Sequence, residues 1–377
     1  MLEIAFWSSL AFIAYAYAGY PLLLGILSLI RKRKVDRASV TPAVSFIIAA
    51  HNEEGRIQQK IENTLGQEYP PGSLEVIVAS DCSTDRTEEI ASGYGERGLV
   101  VVRSPERRGK EEALRYAVEI ASGEILVFSD AGARLPRDAV SKIVRNFHDR
   151  TVGCVSSVDH CVDADGNGVG EGAYVKYEMF LRRLESKVGT VVGLSGSFFA
   201  ARREVCHGWV SGLPSDMHTL LRAVRIGLRG VSDPESTAYY ENVVDGRREF
   251  ERKARTVVRG ITLFATSLGM LNPLRYGLFS WQLVSHKLCR WPVPFAMLVT
   301  LFSSGLLAPR SATYAAACVV QFVLYGIALL GIRADRPSRL APVRVLSFFV
   351  LSNLAILNAW YRFALGERVV SWEPSRR

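Results

Sequence analysis

A run of 27 residues, 4–30, contains no acidic or basic side chain. A helix of about 20 apolar residues crosses the ~30 Å hydrocarbon core of a bilayer, so this run predicts a membrane span. The alternative is a cleaved signal peptide, since Ala16-Tyr17-Ala18 has the small-x-small pattern. However, Glu3 stands where a signal peptide is basic, and apolar sequence continues to Ile30. These features favour a retained anchor.

Basic residues set the expected orientation. Residues 31–34 read RKRK, and basic residues beside a span tend to remain cytoplasmic. The carboxyl third has three more stretches that approach spanning length, 291–308, 312–332 and 343–365. Arginines at 333, 336 and 339, between the last two stretches, suit a cytoplasmic loop. We therefore predict that the domain after the anchor faces the cytoplasm.

Residues 274–291 mix aromatic, apolar and basic side chains, as a helix lying in the headgroup plane does. If every apolar stretch crossed the membrane in turn, the arginine-containing tail would lie outside the cell. Basic segments tend to remain in the cytoplasm, so we expect two to three carboxyl-terminal spans. The predicted regions are an anchor with a basic stop at 1–34, a cytoplasmic α/β domain at 40–262, an amphipathic interfacial segment at 263–291 and a membrane region at 292–377.

Cysteine spacing argues against a zinc-binding protein, and the charge distribution argues against a nucleic-acid-binding protein. The six cysteines include no C-x-x-C pair and no zinc-like histidine spacing, which indicates free thiols in a reducing compartment. The net charge of +9 comes with arginines clustered near the apolar stretches. We therefore expect contact with anionic membrane lipids and not with nucleic acid.

Residues 44–130 alternate strand-like and helix-like patterns. Strands are predicted at 44–50, 75–80, 99–103 and 124–130, with helical stretches between them. This alternation predicts a mostly parallel sheet with helices on both faces. Ligands of such sheets bind beyond the carboxyl ends of the strands.

Polar clusters follow all four predicted strands: 51–54 (HNEE), 81–85 (DCSTD), the loop that reaches Lys110, and 130–133 (DAGA). Taken singly, Asn52 or Asp85 reads as a helix cap and Lys110 as a solvated charge. Together at one edge, they favour a phosphate-bearing ligand held with a divalent cation. No G-x-x-x-x-G-K-[ST] motif is present, and no G-x-G-x-x-G follows the first strand, so side chains and a metal are expected to bind the nucleotide.

These motifs resemble those of the inverting family 2 glycosyltransferases, whose soluble part has the GT-A fold. The resemblance covers about residues 44–261. It rests on "AAHNEE", "ASDCSTDRT", "RGKEEAL" and "FSDA", and in the acceptor half on "YVKYEMFLRRLES", "GLSGSFFAARREV" and "LPSDMHTLL". It implies a cytoplasmic GT-A catalytic domain with transmembrane helices at both ends of the chain.

The resemblance also implies roles for individual residues. The nucleotide-sugar would contact Ala50, Asn52, Glu53, Asp81, Lys110 and Asp130. Asp130 would hold Mg²⁺ or Mn²⁺ against the diphosphate. The family usually places a second Asp or Asn two residues later, where this chain has Gly132. Magnesium is still held by one carboxylate with phosphate oxygens and water. His218 is either a further ligand or a structural histidine.

Inversion requires a base that takes the proton of the acceptor hydroxyl. The resemblance assigns this role to Asp216. Alternatively, Ser215 caps the helix and Asp216 lies in its first turn. Further acceptor or diphosphate contacts are expected from Glu178, Gly196, Ser215, Arg255 and Arg259. Glu178 is also spaced for a surface ion pair with Arg182.

The expected function is transfer of a sugar from a nucleotide-sugar to a lipid-linked or saccharide acceptor, with inversion, in polysaccharide or glycolipid synthesis. The expected location is the prokaryotic inner (cell) membrane, with the catalytic domain in the cytoplasm. No Q-x-x-R-W follows Asp216, which disfavours a polymerising enzyme. The alternative is an inactive relative that binds nucleotide-sugar without turnover and serves as a membrane scaffold or partner subunit, which Gly132 supports.

Overall fold

The computed structural model describes residues 1–162, 173–209, 212–241, 246–333 and 340–367. These residues form two compact units. The first unit contains 1–30, 173–177, 246–333 and 340–367, and the second contains 31–162, 178–209 and 212–241. The predicted membrane orientation relied partly on the arginines at 336 and 339 and on the tail from 368 onward. These residues lie outside the described ones.

The secondary structure alternates in the middle of the chain and is helical at both ends. The helices are α1 (Leu2–Ala14), α2 (Tyr20–Ile30), α3 (Ile57–Leu65), α4 (Thr87–Ser92), α5 (Lys110–Ile120), α6 (Ala139–Val144), α7 (Ala173–Val188), α8 (Arg203–Cys206), α9 (Ser215–Arg225), α10 (Gly246–Ala265), α11 (Pro273–Tyr276), α12 (Leu278–Leu283), α13 (Val293–Leu307), α14 (Ala312–Arg333) and α15 (Ala341–Ala364). The strands are β1 (Val44–Ala50), β2 (Leu74–Ser80), β3 (Leu99–Arg103), β4 (Ile125–Asp130), β5 (Val152–Val162), β6 (Phe198–Arg202) and β7 (Arg229–Glu241).

The first unit is helical. Within the described residues, four helices are long and apolar enough to cross a membrane: Leu2–Ile30, Val293–Arg310, Ala312–Arg333 and Ala341–Ala364. They coincide with the four apolar stretches predicted from the sequence. The predicted interfacial segment, 263–291, contains the end of α10 and the short helices α11 and α12.

The second unit is built on one sheet with the strand order β3-β2-β1-β4-β6-β5-β7. Strand β1 pairs in parallel with both β2 and β4, β2 with β3, and β5 with β7. Strand β6 runs antiparallel to β4 and β5. The predicted mostly parallel α/β sheet is therefore confirmed, and β6 is the strand that departs from parallel order.

Strand β1 is buried along its whole length, as expected for an apolar strand covered on both faces. On one face, Phe46 and Ile48 belong to a core cluster that also contains Ile61 of α3 and Val140 of α6. Between α5 and β4, Gly123 approaches β1 so closely that an added Cβ would lie 2.4 Å from the backbone nitrogen of Ser45. Only glycine allows this approach.

Helix α3 places a lysine among its buried residues, which are Ile57, Lys60, Ile61 and Thr64. This spacing defines the core-facing side of a helix. The Lys60 amine donates hydrogen bonds to Ser129 Oγ and to the Ala133 carbonyl, both at 2.7 Å. Burial lowers the pKa of Lys60 to about 7, although the negative charge of Asp130 opposes this shift.

We predict that Gly123→Ala destabilises the second unit, because the methyl group would overlap the β1 backbone. Overpacking of this kind costs about 1–3 kcal/mol, which lowers the melting temperature of a domain of this size by roughly 2–10 °C. The measurement is thermal unfolding of the purified protein in detergent. Gly95→Ala is the control, since no atom lies within 4 Å of its added Cβ. Equal melting temperatures for the two variants would contradict the prediction.

A second prediction concerns Lys60, whose folded-state pKa is lowered. Between about pH 7 and the ordinary lysine pKa of 10.5, the unfolded chain binds a proton at this residue that the folded protein has lost. Stability from this group therefore rises with pH across that window. Relative to Lys60→Met, the wild type should gain melting temperature between pH 7 and pH 9. Other titrating groups cancel in the comparison, so a constant difference would show that Lys60 stays charged when folded.

Candidate active site

The predicted polar clusters meet at one edge of the sheet because β1, β2 and β4 end together. Ala50 of β1 lies opposite Ser80 of β2, and Ala49 lies opposite Asp130 of β4. The loops that begin at His51 and Asp81 and the turn at Asp130 therefore leave the sheet side by side. This is the edge at which ligands of parallel sheets bind.

Hydrogen bonds join the loops after β1 and β2. The backbone N–H of Asn52 donates to Ser83 Oγ at 3.2 Å, and the backbone N–H of Thr84 donates to Asn52 Oδ1 at 2.8 Å. The Glu53 N–H donates to Thr87 Oγ1 at 2.8 Å. Asn52 has a φ of 52°, a left-handed conformation that asparagine tolerates better than most residues. Asn52 and Glu53 thus connect the two loops where the structure describes them.

Asp85 closes the second loop. Its carboxylate accepts hydrogen bonds from the Glu54 N–H and the Thr87 N–H, both at 3.0 Å. Burial alone would raise the pKa of Asp85, but a hydrogen bond from the Thr87 hydroxyl, together with the two N–H bonds, holds this pKa below its ordinary value. Asp85 therefore anchors Thr87, the first residue of α4, from one position before the N-cap residue, Arg86.

Asp81 holds the loop that precedes α5. Its carboxylate is fully buried and accepts hydrogen bonds from the Arg108 and Gly109 N–H groups at 3.0–3.1 Å. Gly109 adopts a φ of 98°, which strongly favours glycine. The loop thereby delivers Lys110, the first residue of α5, to the edge of the sheet.

Lys110 joins three segments that are distant in sequence. Its amine forms an ion pair with the Asp130 carboxylate and donates a 3.0 Å hydrogen bond to the Gly196 carbonyl. The Asp130 N–H donates to the Ser197 carbonyl at 3.1 Å. Lys110 and Asp130, two of the residues predicted to bind the nucleotide-sugar, are therefore in direct contact.

Asp216 also lies close to Gly196. A Cβ at Gly196 would be 3.7 Å from Asp216 Oδ2, so glycine keeps a side chain away from this carboxylate. Asp216 is half-buried in the first turn of α9. Ser215 is the first residue of that helix, and the residue before it, Pro214, makes no side-chain cap. The capping alternative for Ser215 is therefore not what the structure shows.

The turn that contains Gly196 is fixed by an acid that the sequence analysis missed. Ser195 Oγ donates to Asp159 Oδ2 of β5 at 2.5 Å, and the Ser195 and Ser197 hydroxyls are 2.9 Å apart. No local pattern identifies Asp159, because its contact is made across strands. Lys60 was missed for a different reason: a lysine on a short amphipathic helix normally faces solvent.

The other predicted residues lie as follows. Ala50 is buried at the end of β1, Glu178 is half-buried on α7, and Arg255 and Arg259 lie on α10 in the first unit. Arg182, the proposed partner of Glu178, donates to Ser156 Oγ at 3.3 Å and to the Leu194 carbonyl at 3.4 Å.

His218 is buried, and among the described residues its Nδ1 has no hydrogen-bond partner. Burial, with the positive charges of Arg222 and Arg225, lowers the pKa of His218 to about 4. The imidazole is therefore neutral at pH 7. Nothing in its described surroundings distinguishes a ligand from a structural histidine.

The metal-binding side chains of the site suit a metal bound together with a diphosphate better than a metal bound by protein ligands alone. In the described parts of the chain, no three His, Cys, Asp or Glu residues are grouped to hold an ion. A Cβ at Gly132 would lie 3.8 Å from Arg56 Nη1. Asp130 fits a site of one carboxylate completed by phosphate oxygens and water.

Part of the chain matches a known protein family. Residues 45–209 match the model of glycosyl transferase family 2. The beta-monoglucosyldiacylglycerol synthase of Nostoc sp. (strain PCC 7120) is 29% identical over 177 residues, which are 45% of this chain and 38% of that protein. The poly-beta-1,6-N-acetyl-D-glucosamine synthase of Staphylococcus aureus is 27% identical over 160 residues, or 41% of this chain and 38% of the relative. The chain thus spans less than half the length of these relatives.

One solved structure matches nearly the whole chain. It is the mannosyltransferase PcManGT from Pyrobaculum calidifontis in complex with GDP-Man and Mn²⁺, with a TM-score of 0.75 and 25% identity. The match covers 97% of this chain and 100% of that one. The family predicted from the motifs is confirmed for residues 45–209, which form a glycosyl transferase family 2 domain with the GT-A fold.

Proposed function

We propose that this protein is a membrane-embedded, inverting glycosyltransferase that moves a sugar from a nucleotide-sugar to a lipid-linked or saccharide acceptor. The observation that carries the proposal is that Gly196 lies next to both acids: its carbonyl accepts a hydrogen bond from Lys110, which pairs with Asp130, and Asp216 Oδ2 is 3.7 Å from where its Cβ would be. A diphosphate beside Asp130 would thus have its sugar near the carboxylate that receives a proton. One site would then bind both the sugar donor and the acceptor.

The donor nucleotide is proposed to bind along the ends of β1 and β2. Ala50, Asn52 and Glu53 lie at the end of β1, and Asp81 lies at the end of β2. Asp81 contributes by holding the loop that delivers Lys110, and a direct contact with the base requires its carboxylate to share these hydrogen bonds. The proposed role of Asp81 thus combines loop placement with base recognition.

Asp130 and Lys110 are proposed to receive the diphosphate. When bound, Mg²⁺ or Mn²⁺ supplies positive charge that offsets the charge building on the leaving group. Asp130 is the proposed protein ligand, and Lys110 can exchange its pairing with Asp130 for a phosphate oxygen. The presence of Mn²⁺ with GDP-Man in PcManGT is consistent with use of a divalent metal here.

Asp216 is the proposed general base. It takes the proton of the acceptor hydroxyl while the acceptor oxygen bonds to the anomeric carbon and the bond from that carbon to the diphosphate oxygen breaks. The products are the glycoside with inverted configuration and the nucleoside diphosphate. Glu178, Gly196 and Ser215 are proposed to contact the acceptor.

The acceptor and the location are proposed from the first unit and from the relatives. Four candidate spans indicate membrane association, and the basic residues 31–34 after the first span favour a cytoplasmic catalytic domain in a prokaryotic inner membrane. The names of the relatives refer to a glycolipid and to a polysaccharide. Arg255 and Arg259 on α10 are proposed to contact the diphosphate, the acceptor or lipid headgroups.

One observation favours a second candidate function, an inactive membrane scaffold or partner subunit. Gly132 provides no carboxylate, and Arg56 Nη1 would lie 3.8 Å from a Cβ at that position. Such a protein would bind a nucleotide-sugar without turnover. Incubation of the purified protein with UDP-, GDP- and dTDP-sugars and Mn²⁺, with lipid extract as acceptor, separates the two. Release of a nucleoside diphosphate supports the enzyme, and binding without release supports the scaffold.

We predict that Asp216→Asn lowers turnover by about 10²–10⁴-fold, the usual contribution of a general base, with donor binding retained. The measurements are nucleoside diphosphate release and donor titration calorimetry on the detergent-purified protein. Glu204→Gln, an exposed acid on α8, is the control. Turnover of Asp216→Asn at the level of this control would remove Asp216 from the mechanism.

We further predict that Asp130→Asn removes most of the gain in nucleoside diphosphate affinity that Mn²⁺ gives to the wild type, because the carboxylate ligand is lost. Affinity in EDTA should fall by less than about threefold, since no metal ligand is then in use. Asp138→Asn serves as control, because Asp138 pairs with Lys142 at the surface. An unchanged Mn²⁺ effect in Asp130→Asn would exclude Asp130 as the ligand.

A further inference from the structure

Helix α3, with Gln67 just after its end, supplies three polar side chains that hydrogen-bond the end of β4 and the segment that follows it. Lys60 donates to Ser129 Oγ and the Ala133 carbonyl, both at 2.7 Å. Asn63 exchanges two hydrogen bonds with the Leu135 backbone at 2.8 and 2.9 Å. Gln67 donates to the Pro136 carbonyl at 2.8 Å and accepts from the Val140 N–H at 3.2 Å. Helix α3 therefore holds residues 129–140 at two points, and Gln67 holds them at a third.

The residues bonded by Lys60 are the two ends of the turn that contains Asp130. Ser129 comes directly before this acid and Ala133 three residues after it, so one amine joins both ends of the turn. The turn also has its own hydrogen bond, from the Ala133 N–H to the Asp130 carbonyl at 3.1 Å. Asn63 and Gln67 act farther along the chain, beyond the turn.

A lysine at this position is costly to bury. Its side chain is 3% exposed, and its amine lies 5.4 Å from the centre of the Phe46 ring. An apolar side chain of similar size would avoid the loss of hydration. The two hydrogen bonds to the turn are the contacts that an apolar residue could not replace. The cost is therefore consistent with a need for a fixed turn.

We propose that Lys60 is a positioning residue that orients the Asp130 carboxylate for the metal and the diphosphate. This inference rests on the proposed function. Lys110 contacts the Asp130 carboxylate directly and can exchange it for phosphate when the donor binds. Lys60 is bonded to the turn itself and keeps its contacts through that exchange. Two N–H bonds serve its two acceptors, so both the neutral amine and the ammonium can hold the turn.

The test compares Lys60→Met with Asn63→Leu in the detergent-purified, full-length protein. Both variants remove two hydrogen bonds between α3 and the segment 129–140, but only the first removes those around Asp130. Titration calorimetry with UDP, GDP, dTDP and ADP, each in Mn²⁺ and in EDTA, gives the gain in affinity that Mn²⁺ confers. Melting temperatures report stability separately.

We expect Lys60→Met to lose about tenfold or more of the Mn²⁺-dependent gain, the scale on which lost outer-shell support weakens metal binding. In EDTA its affinity should stay within about twofold of the wild type, because the loops that bind the nucleotide are intact. Asn63→Leu should keep the full gain whatever its melting temperature. Should Lys60→Met fail to fold, Ser129→Ala removes one acceptor and should reduce the gain less, in the same direction.

The inference is overturned if Lys60→Met, or Ser129→Ala in its place, retains the Mn²⁺-dependent gain. It is also overturned if the loss is equal in Mn²⁺ and EDTA, or if Asn63→Leu loses the same gain, since either result indicates general damage. A wild type that binds none of the four nucleoside diphosphates overturns the proposed function, and this inference with it. Failure of the two ideas is thus distinguishable.

Discussion

The contacts of the Lys110 amine hold the candidate site together. This one group pairs with Asp130 at the end of β4 and bonds the carbonyl of Gly196, and Gly196 in turn lies against Asp216. The lysine reaches this point because Asp81 fixes the loop before α5 through backbone N–H groups. Parallel strands that end at one edge therefore supply Asp81 and Asp130, a glycine-containing loop supplies Lys110, and helix α9 supplies Asp216.

The charges of the site explain why a single carboxylate can be enough. Asp130 has Lys110 in contact, and Lys60 lies behind its turn at 2.7 Å from Ser129 Oγ. A diphosphate brings several negative charges, so the positive charge of Lys110 lowers the cost of bringing it to the edge of the sheet. A second acid at position 132 would face the Arg56 guanidinium. Glycine there keeps the local charge positive, and a metal would then enter together with the phosphate oxygens.

The sequence was sufficient for the features that depend on strand order alone. Once a parallel sheet is predicted, Asp81, Lys110 and Asp130 must follow strands that end at one edge, and the structure places them there. The closeness of Gly196 to Asp216 could not be predicted in this way, because it depends on the antiparallel insertion of β6 beside β4. Lys60 was hidden because its acceptors lie about 70 residues away in the chain. No periodicity distinguishes a buried lysine from a solvated one.

The helices of the first unit bear on which acceptor is favoured. Of the 22 residues of α14, only Tyr314 and Ala328 are buried within the described chain. Its exposed apolar side chains include Val319, Phe322, Val323 and Leu330, and burial of each in an apolar medium gains roughly 1.5–3 kcal/mol over exposure to water. Lipid is the medium that provides this gain along a whole helix. A transferase held in the bilayer meets lipid-linked acceptors in two dimensions, at an effective concentration that a soluble saccharide lacks. The exposed apolar surface of α14 therefore supports membrane association, on which the proposal of a lipid-linked acceptor depends.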